Sequence, residues 1–154
     1  MFESCYRRLW IVLLVAFAWF AAACDEKLAD IAGPSPNLQP TFASIQHEIF
    51  ETTDESGRAA CTNCHTDVGG RTPSGGLNLR HEVAYAALVG VASRGKTGAV
   101  RVIAGDADNS YVIQKLEGRS GIVGERMPRT GGPFLTEGQM TILKRWIATG
   151  ANNN

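Results

Sequence analysis

Two thiols and an imidazole carry the densest chemistry in this chain, in the run Cys61-Thr62-Asn63-Cys64-His65. Cysteines separated by two residues and followed at once by histidine form the C-x-x-C-H pattern of covalent haem attachment. The spacing has a physical reason. Two intervening residues let both sulfurs reach the two vinyl groups of one porphyrin. The adjacent His65 then lies under the iron and offers a ring nitrogen as proximal ligand.

Three other chemistries use a C-x-x-C pair. A redox dithiol belongs at a helix start in a thioredoxin-like α/β fold, and no βαβ pattern is visible here. A structural zinc needs four ligands. Cys5 and Cys24 belong to the leading segment, and His47 and His81 lack zinc-finger spacing. A plain disulfide would leave His65 a coincidence. One covalently attached haem c is therefore the expected cofactor.

The elements that must position this motif begin after a leading segment. Arg7 and Arg8 precede an uncharged apolar run from Leu9 to Ala23. A basic start, an apolar stretch and a small-residue end read as an export signal over residues 1–23. The run falls short of the roughly 20 residues that span a bilayer. Ala21-Ala22-Ala23 suits cleavage, with Cys24 next. This arrangement resembles the bacterial lipobox, although Ala21 stands where Leu is usual. The resemblance implies lipidation of Cys24 as the mature N-terminus and location on the periplasmic side of a membrane. Residues 24–40 hold Gly33, Pro34, Pro36 and Pro40 and read as a linker.

Residues 41–151 read as a small all-α domain. Phe42, Ile45 and Ile49, widened by Phe50, form one helical face that dies out by Thr52. A middle helix is expected from Glu82 to Val91 and a short one from Ser110 to Leu116. The last helix is the best signalled. Thr136 and Gln139 have capping-box spacing, with Leu135 and Met140 as a hydrophobic staple around them. Leu143, Trp146 and Ile147 continue its apolar face, and Gly150 stops it. Only Val100 to Ile103 has any strand character. Long Gly-rich loops in so short a domain ask for a staple, which a buried prosthetic group would supply.

Without residues 1–23 the chain has 13 basic and 14 acidic residues. Residues 25–67 hold eight acids and two bases, whereas residues 71–145 hold eleven bases and six acids. The basic half would steer an acidic redox partner or simply be solvated. No basic run exceeds two residues, so nothing points to nucleic acid.

Taken together, these features resemble the class I cytochrome c domain of bacterial periplasmic proteins. The resemblance covers about residues 41–151. It rests on an amphipathic helix before Cys61-x-x-Cys64-His65, then Gly105-Asp106-x-x-Asn109-Ser110 and Arg126-Met127-Pro128. It closes on Leu135-Thr136-x-x-Gln139-Met140 and Trp146-Ile147-Ala148-x-Gly150-Ala151. It implies an all-α domain wrapped around one haem, held by Cys61, Cys64 and His65, with a methionine as sixth ligand. Met127 is the leading candidate, in a Gly-rich loop beside Pro128. Met140, His47, His81 or an open position are the alternatives. The resemblance also implies packing of the first helix on the last, with Phe50 or Ile49 against Trp146. Leu77, Leu79, Tyr111, Leu116 and Leu135, placed between the ligands, would wall the pocket or serve as ordinary helical core, and Arg126 or Arg129 would pair with a haem propionate or, as is more frequent for loop charges, stay solvated.

The expected function is single-electron transfer by a membrane-tethered carrier between redox partner proteins, with no small-molecule substrate. A fixed haem subunit of a larger oxidoreductase and a haem-based redox or gas sensor are the rival expectations.

Overall fold

The computed structural model describes residues 37–154. The expected export signal, Cys24 and the linker up to residue 36 lie outside the described residues. The described part is helix-dominated, with no strand among the described residues. None of the described helices is long and apolar enough to cross a membrane.

Helix α1 spans Phe42–Ile45 and runs on, without a break, as a π-helical turn over Gln46–Glu51. Thr41 caps its start by accepting from the Ser44 amide at 3.3 Å. The expected apolar face is in place: Phe42, Ile45, Ile49 and Phe50 are all buried. Thr52 turns extended and ends the element. Leu38, in the stretch read as linker, is also buried and joins the core.

Helix α2 spans Ala84–Leu88, shorter than expected. Its inward residues are Ala84 and Leu88, while Ala86 faces solvent. The chain leaves the helix at Val89 because Leu88 and Gly90 pair instead with Val102. The Val102 amide donates to Leu88 O at 3.2 Å and the Gly90 amide to Val102 O at 2.9 Å. Val100 to Ile103 therefore forms isolated bridges to Val89, Ala92 and Asp106 and not a strand.

Helix α3 spans Tyr111–Glu117. Its N-cap Ser110 makes no capping bond, because its hydroxyl is already spent. It donates to Asp106 O at 2.7 Å and accepts from the Ile103 amide at 2.8 Å, folding the Gly105–Ser110 turn onto the helix start. Gly118, at φ +71°, closes the helix in the left-handed conformation that glycine adopts without strain.

Helix α4 spans Glu137–Ala148 and carries the expected reciprocal capping box. The Gln139 amide donates to Thr136 Oγ1 at 3.2 Å, and the Thr136 amide to Gln139 Oε1 at 3.0 Å. Leu143, Trp146 and Ile147 are buried. Trp146 is core, as its neighbours suggested, but its aromatic partner is Phe42, with ring centroids 5.5 Å apart. Phe50 and Ile49, the expected partners, are buried in the same core cluster. They lie near the other end of the first helix, where its carbonyls are engaged by the motif turn. Tyr85 from α2 meets Phe42 edge-on at 5.2 Å, so one aromatic group ties three helices together.

The terminal asparagines clasp this group. Asn154 accepts from the Phe42 amide through its side chain and from the Ala43 amide through its carbonyl, satisfying two orphan donors of α1. Trp146 Nε1 donates to Asn152 O at 2.8 Å.

Truncating Trp146 to Ala is expected to cost about 3–5 kcal/mol by cavity formation, and Thr136→Ala about 1 kcal/mol by loss of the cap. Urea denaturation of both variants checks the ranking.

Candidate functional site

The site begins where the first helix ends. A helix leaves its last carbonyls without intrahelical partners. Here residues on the way into the C-x-x-C-H motif supply the donors. Thr52 Oγ1 donates to His47 O at 2.6 Å. Arg58 Nη1 donates to Ile49 O at 3.0 Å and Nη2 to Glu48 O at 3.4 Å. Cys61 Sγ donates to Ile49 O at 3.5 Å, and Thr62 Oγ1 to Phe50 O at 3.3 Å. The motif turn is thus docked on the end of the first helix by its own side chains.

Arg58 is the hinge of that docking, and it is 1% exposed. Its charge is met by Asp54, Nε to Oδ2 at 2.9 Å. Asp54 also accepts from the Ser56 hydroxyl, the Ser56 amide and the Arg58 amide at Oδ1. Gln139 Nε2 reaches Asp54 Oδ2 at 3.4 Å, so a capping-box residue of α4 joins the network. Burial acts to raise the Asp54 pKa. Hydrogen bonds from Ser56 and the Arg58 amide, the Arg58 charge and the Gln139 amide outweigh it and hold the carboxyl below its ordinary range.

The motif itself folds as a 3-10 turn, Cys61–Asn63, with the Cys64 and His65 amides both donating to Cys61 O at 3.2 and 3.0 Å. The returning chain grips it from outside. The Ser74 amide donates to Cys64 O at 3.1 Å and the Leu79 amide to His65 O at 2.8 Å. Buried Gln46 closes the ring by donating from Nε2 to Leu79 O at 2.7 Å. The structure therefore brings Cys61, Cys64 and His65 together in one rigid turn.

Both thiols are free. Cys61 is partly buried against the core and Cys64 is exposed. Burial pushes the Cys61 thiol up, against the pull of the nearby Arg58 charge, so it is protonated at neutral pH. His65 Nδ1 is buried without a hydrogen-bond partner. Burial lowers the pKa of His65, the backbone of Ser74 and Leu77 beside the ring opposes this, and the Arg101 charge adds to the lowering. The imidazole is neutral at pH 7 and has a lone pair for a metal.

Met127 is half-buried and packs on the same apolar cluster as Cys61. Its loop is tied to α3. The Met127 amide donates to Lys115 O at 3.0 Å, Lys115 Nζ donates to Val123 O and Glu125 O, and the Val123 amide donates to the Tyr111 hydroxyl at 2.9 Å. Met140 on α4 packs on that cluster too. No hydrogen bond joins either methionine's side chain to the Cys61–His65 turn among the described residues. His47 and His81 lie on the surface beside Glu48 and Glu51, at 3.1 and 3.8 Å.

The expected wall residues Leu79, Tyr111, Leu116 and Leu135 are buried, and Leu77 packs at the edge of the core. The two arginines that flank Met127 differ in setting. Arg126 Nε donates to Leu116 O at 2.7 Å while its guanidinium lies 3.7 Å from the Phe134 ring centre, and Arg129 pairs with Glu125 on the surface. Arg58, Asp54 and Gln46 were absent from the sequence reading. Three or more spaced charges and amides of this kind give no periodic signal.

The donor set fits a covalent haem. Two unpaired thiols sit at attachment spacing, a neutral imidazole follows, and an apolar cluster carries a methionine. Among the described residues no three His, Cys, Asp or Glu side chains gather into a metal site of their own. No family model, curated protein or solved structure matches this chain.

Removing one partner of the Asp54–Arg58 pair is expected to cost about 3–5 kcal/mol, because a buried charge is left alone. Arg58→Met should show that loss, and Asp54→Asn with Arg58→Met should recover part of it. The pair also sets an acid limit. With the Asp54 pKa lowered on folding, the unfolded chain takes up the proton first. The stability it contributes is present above the ordinary carboxylate range and lost as pH falls through the folded value. Urea denaturation of the native chain and both variants, from neutral to acid pH, measures both effects.

Proposed function

We propose that this protein is a monohaem c-type electron carrier, exported and tethered to the membrane through lipid on Cys24. One observation carries the reading: the Cys61–His65 turn holds two unpaired thiols and a buried, unpartnered imidazole nitrogen on a backbone hydrogen-bonded from both sides. When bound, the haem iron supplies reversible one-electron chemistry.

The chain's own residues supply the rest. Cys61 and Cys64 hold the group covalently, so it stays in place without a large enclosing pocket. His65 ligates through the nitrogen opposite buried Nδ1. The hydrogen bonds from Ser74 and Leu79 to the Cys64 and His65 carbonyls stop the turn from moving when the charge at the site changes. Small movement means a small reorganisation cost on each transfer. Met127 is the proposed sixth ligand. Its backbone is pinned to α3, and a His/Met pair raises the reduction potential and leaves no position for a small molecule. Exposed Cys64 marks where one edge of the group would meet redox partner proteins.

The test is the absorbance spectrum of the exported protein, oxidised and reduced, after co-expression with a c-haem maturation system. Narrow low-spin ferrous bands are expected in the native chain and in Met140→Ala. Met127→Ala should convert the haem to high spin and open it to carbon monoxide. A native chain that acquires no haem would overturn the proposal.

A further inference from the structure

The basic excess of residues 71–145 is not evenly matched. Arg80 pairs with Asp67 and Glu82, Arg119 with Asp108 and Glu117, Lys144 with Glu117, and Arg129 with Glu125. Arg101 is different. It is 7% exposed, yet its hydrogen bonds go only to neutral carbonyls: Nη1 to Ala87 O at 2.7 Å, and Nη2 to Gly75 O and Gly76 O at 3.2 and 3.0 Å. No carboxylate stands within ion-pair distance of it among the described residues.

A second guanidinium lies beside it. The Arg94 side chain lies flat on Gly76, so close that a Cβ there would fall 2.5 Å from Arg94 Cδ. Gly76 is at φ +63°, and its lack of a side chain makes room for Arg94. Arg94 makes no ion pair and no side-chain hydrogen bond among the described residues. Lys96 adds a third cation nearby in sequence, its Nζ 5.4 Å from the Tyr111 ring centre. Burial and the Arg94 charge both lower the Arg101 pKa, so the two cations repel.

Carbonyl dipoles satisfy three of the N–H groups of Arg101 but do not neutralise its charge. A buried cation beside a second cation is costly unless an anion joins them. Two guanidinium forks match the paired oxygens of a carboxylate or phosphate. A guanidinium has five N–H donors, and the three bonds above leave some of those of Arg101 uncommitted. The position is also telling. Gly75 and Gly76 belong to the segment that follows Ser74, whose amide holds Cys64 O.

We propose that Arg94 and Arg101 form an oxyanion site on the Ser74–Leu77 segment beside the haem-attachment turn, filled by a side-chain carboxylate of the haem or by a free phosphate. The first source rests on the function proposed above, and the second does not.

The experiment has two arms, each run on the native chain, Arg94→Gln and Arg101→Lys. Arg94→Gln alters an exposed side chain and should fold normally. In the haem-loaded protein, with ¹³C at the haem side-chain carboxylates, the infrared carboxylate band is expected to shift in both variants. In the second arm, thermal unfolding is followed with inorganic phosphate against chloride at equal ionic strength. If the haem fills the site, the band shifts and phosphate has no specific effect on the loaded protein. If a free anion fills it, phosphate raises the native midpoint saturably, Arg94→Gln abolishes the rise, and the infrared band is unmoved. An unmoved band together with no specific phosphate effect overturns the site. Should the native chain carry no haem, the function proposal fails, and phosphate on the haem-free protein alone decides whether the site exists.

Discussion

The Asp54–Arg58 pair is the interaction on which the rest of the structure depends. Both side chains are almost fully shielded from water, at 3% and 1% exposure. Such a pair contributes little net stability against an apolar replacement, but losing one half is severe. Its value is therefore geometric. Arg58 occupies carbonyls at the end of the first helix, Asp54 accepts from α4 through Gln139, and Cys61 follows three residues later. One ion pair thus links the first helix, the last helix and the approach to the motif turn.

The polar groups around this centre work in the same way. Gln46 connects the first helix to His65 through Leu79, and Ser110 holds the turn before α3. The Met127 amide is held by the backbone of α3, while its side chain packs against the core. Helices of four to seven residues are marginal alone; α1 is capped by Thr41 and Asn154, whereas α2 and α3 have no side-chain N-cap and rest on the buried residues they contribute to the core. The consequence is a site whose reactive atoms sit on loops, while the helices supply most of the carbonyls to which those loops donate.

Much of the fold was legible in the sequence where a period or a cap was present. The Phe42, Ile45, Ile49 and Phe50 stripe and the Thr136–Gln139 box are direct consequences of helical geometry, and both are where the sequence places them. The length of α2 was not legible, because its end is set by pairing of Leu88 and Gly90 with Val102, distant in sequence. That Phe42 is the ring beside Trp146 was not legible either. Which of several aromatic residues on one stripe meets Trp146 depends on how two helices slide past each other. Of the candidate site, the Cys61–His65 turn was readable from spacing alone. Arg58 and Arg101 were not, since a lone arginine in sequence looks the same whether solvated or buried. Arg126 and Arg129 share that ambiguity: Arg129 lies on the surface beside Glu125, while Arg126 is half-buried and bonded to Leu116 O.

The central claim is that Cys61 and Cys64 form two thioether bonds to one haem. Intact mass spectrometry of the exported chain under denaturing conditions tests it most directly, beside Cys61→Ser, Cys64→Ser and the double variant. The account predicts a native mass increased by one haem that survives unfolding, and no covalent haem in the double variant. A native mass matching the free thiols, or two hydrogens lighter for a Cys61–Cys64 disulfide, would contradict it.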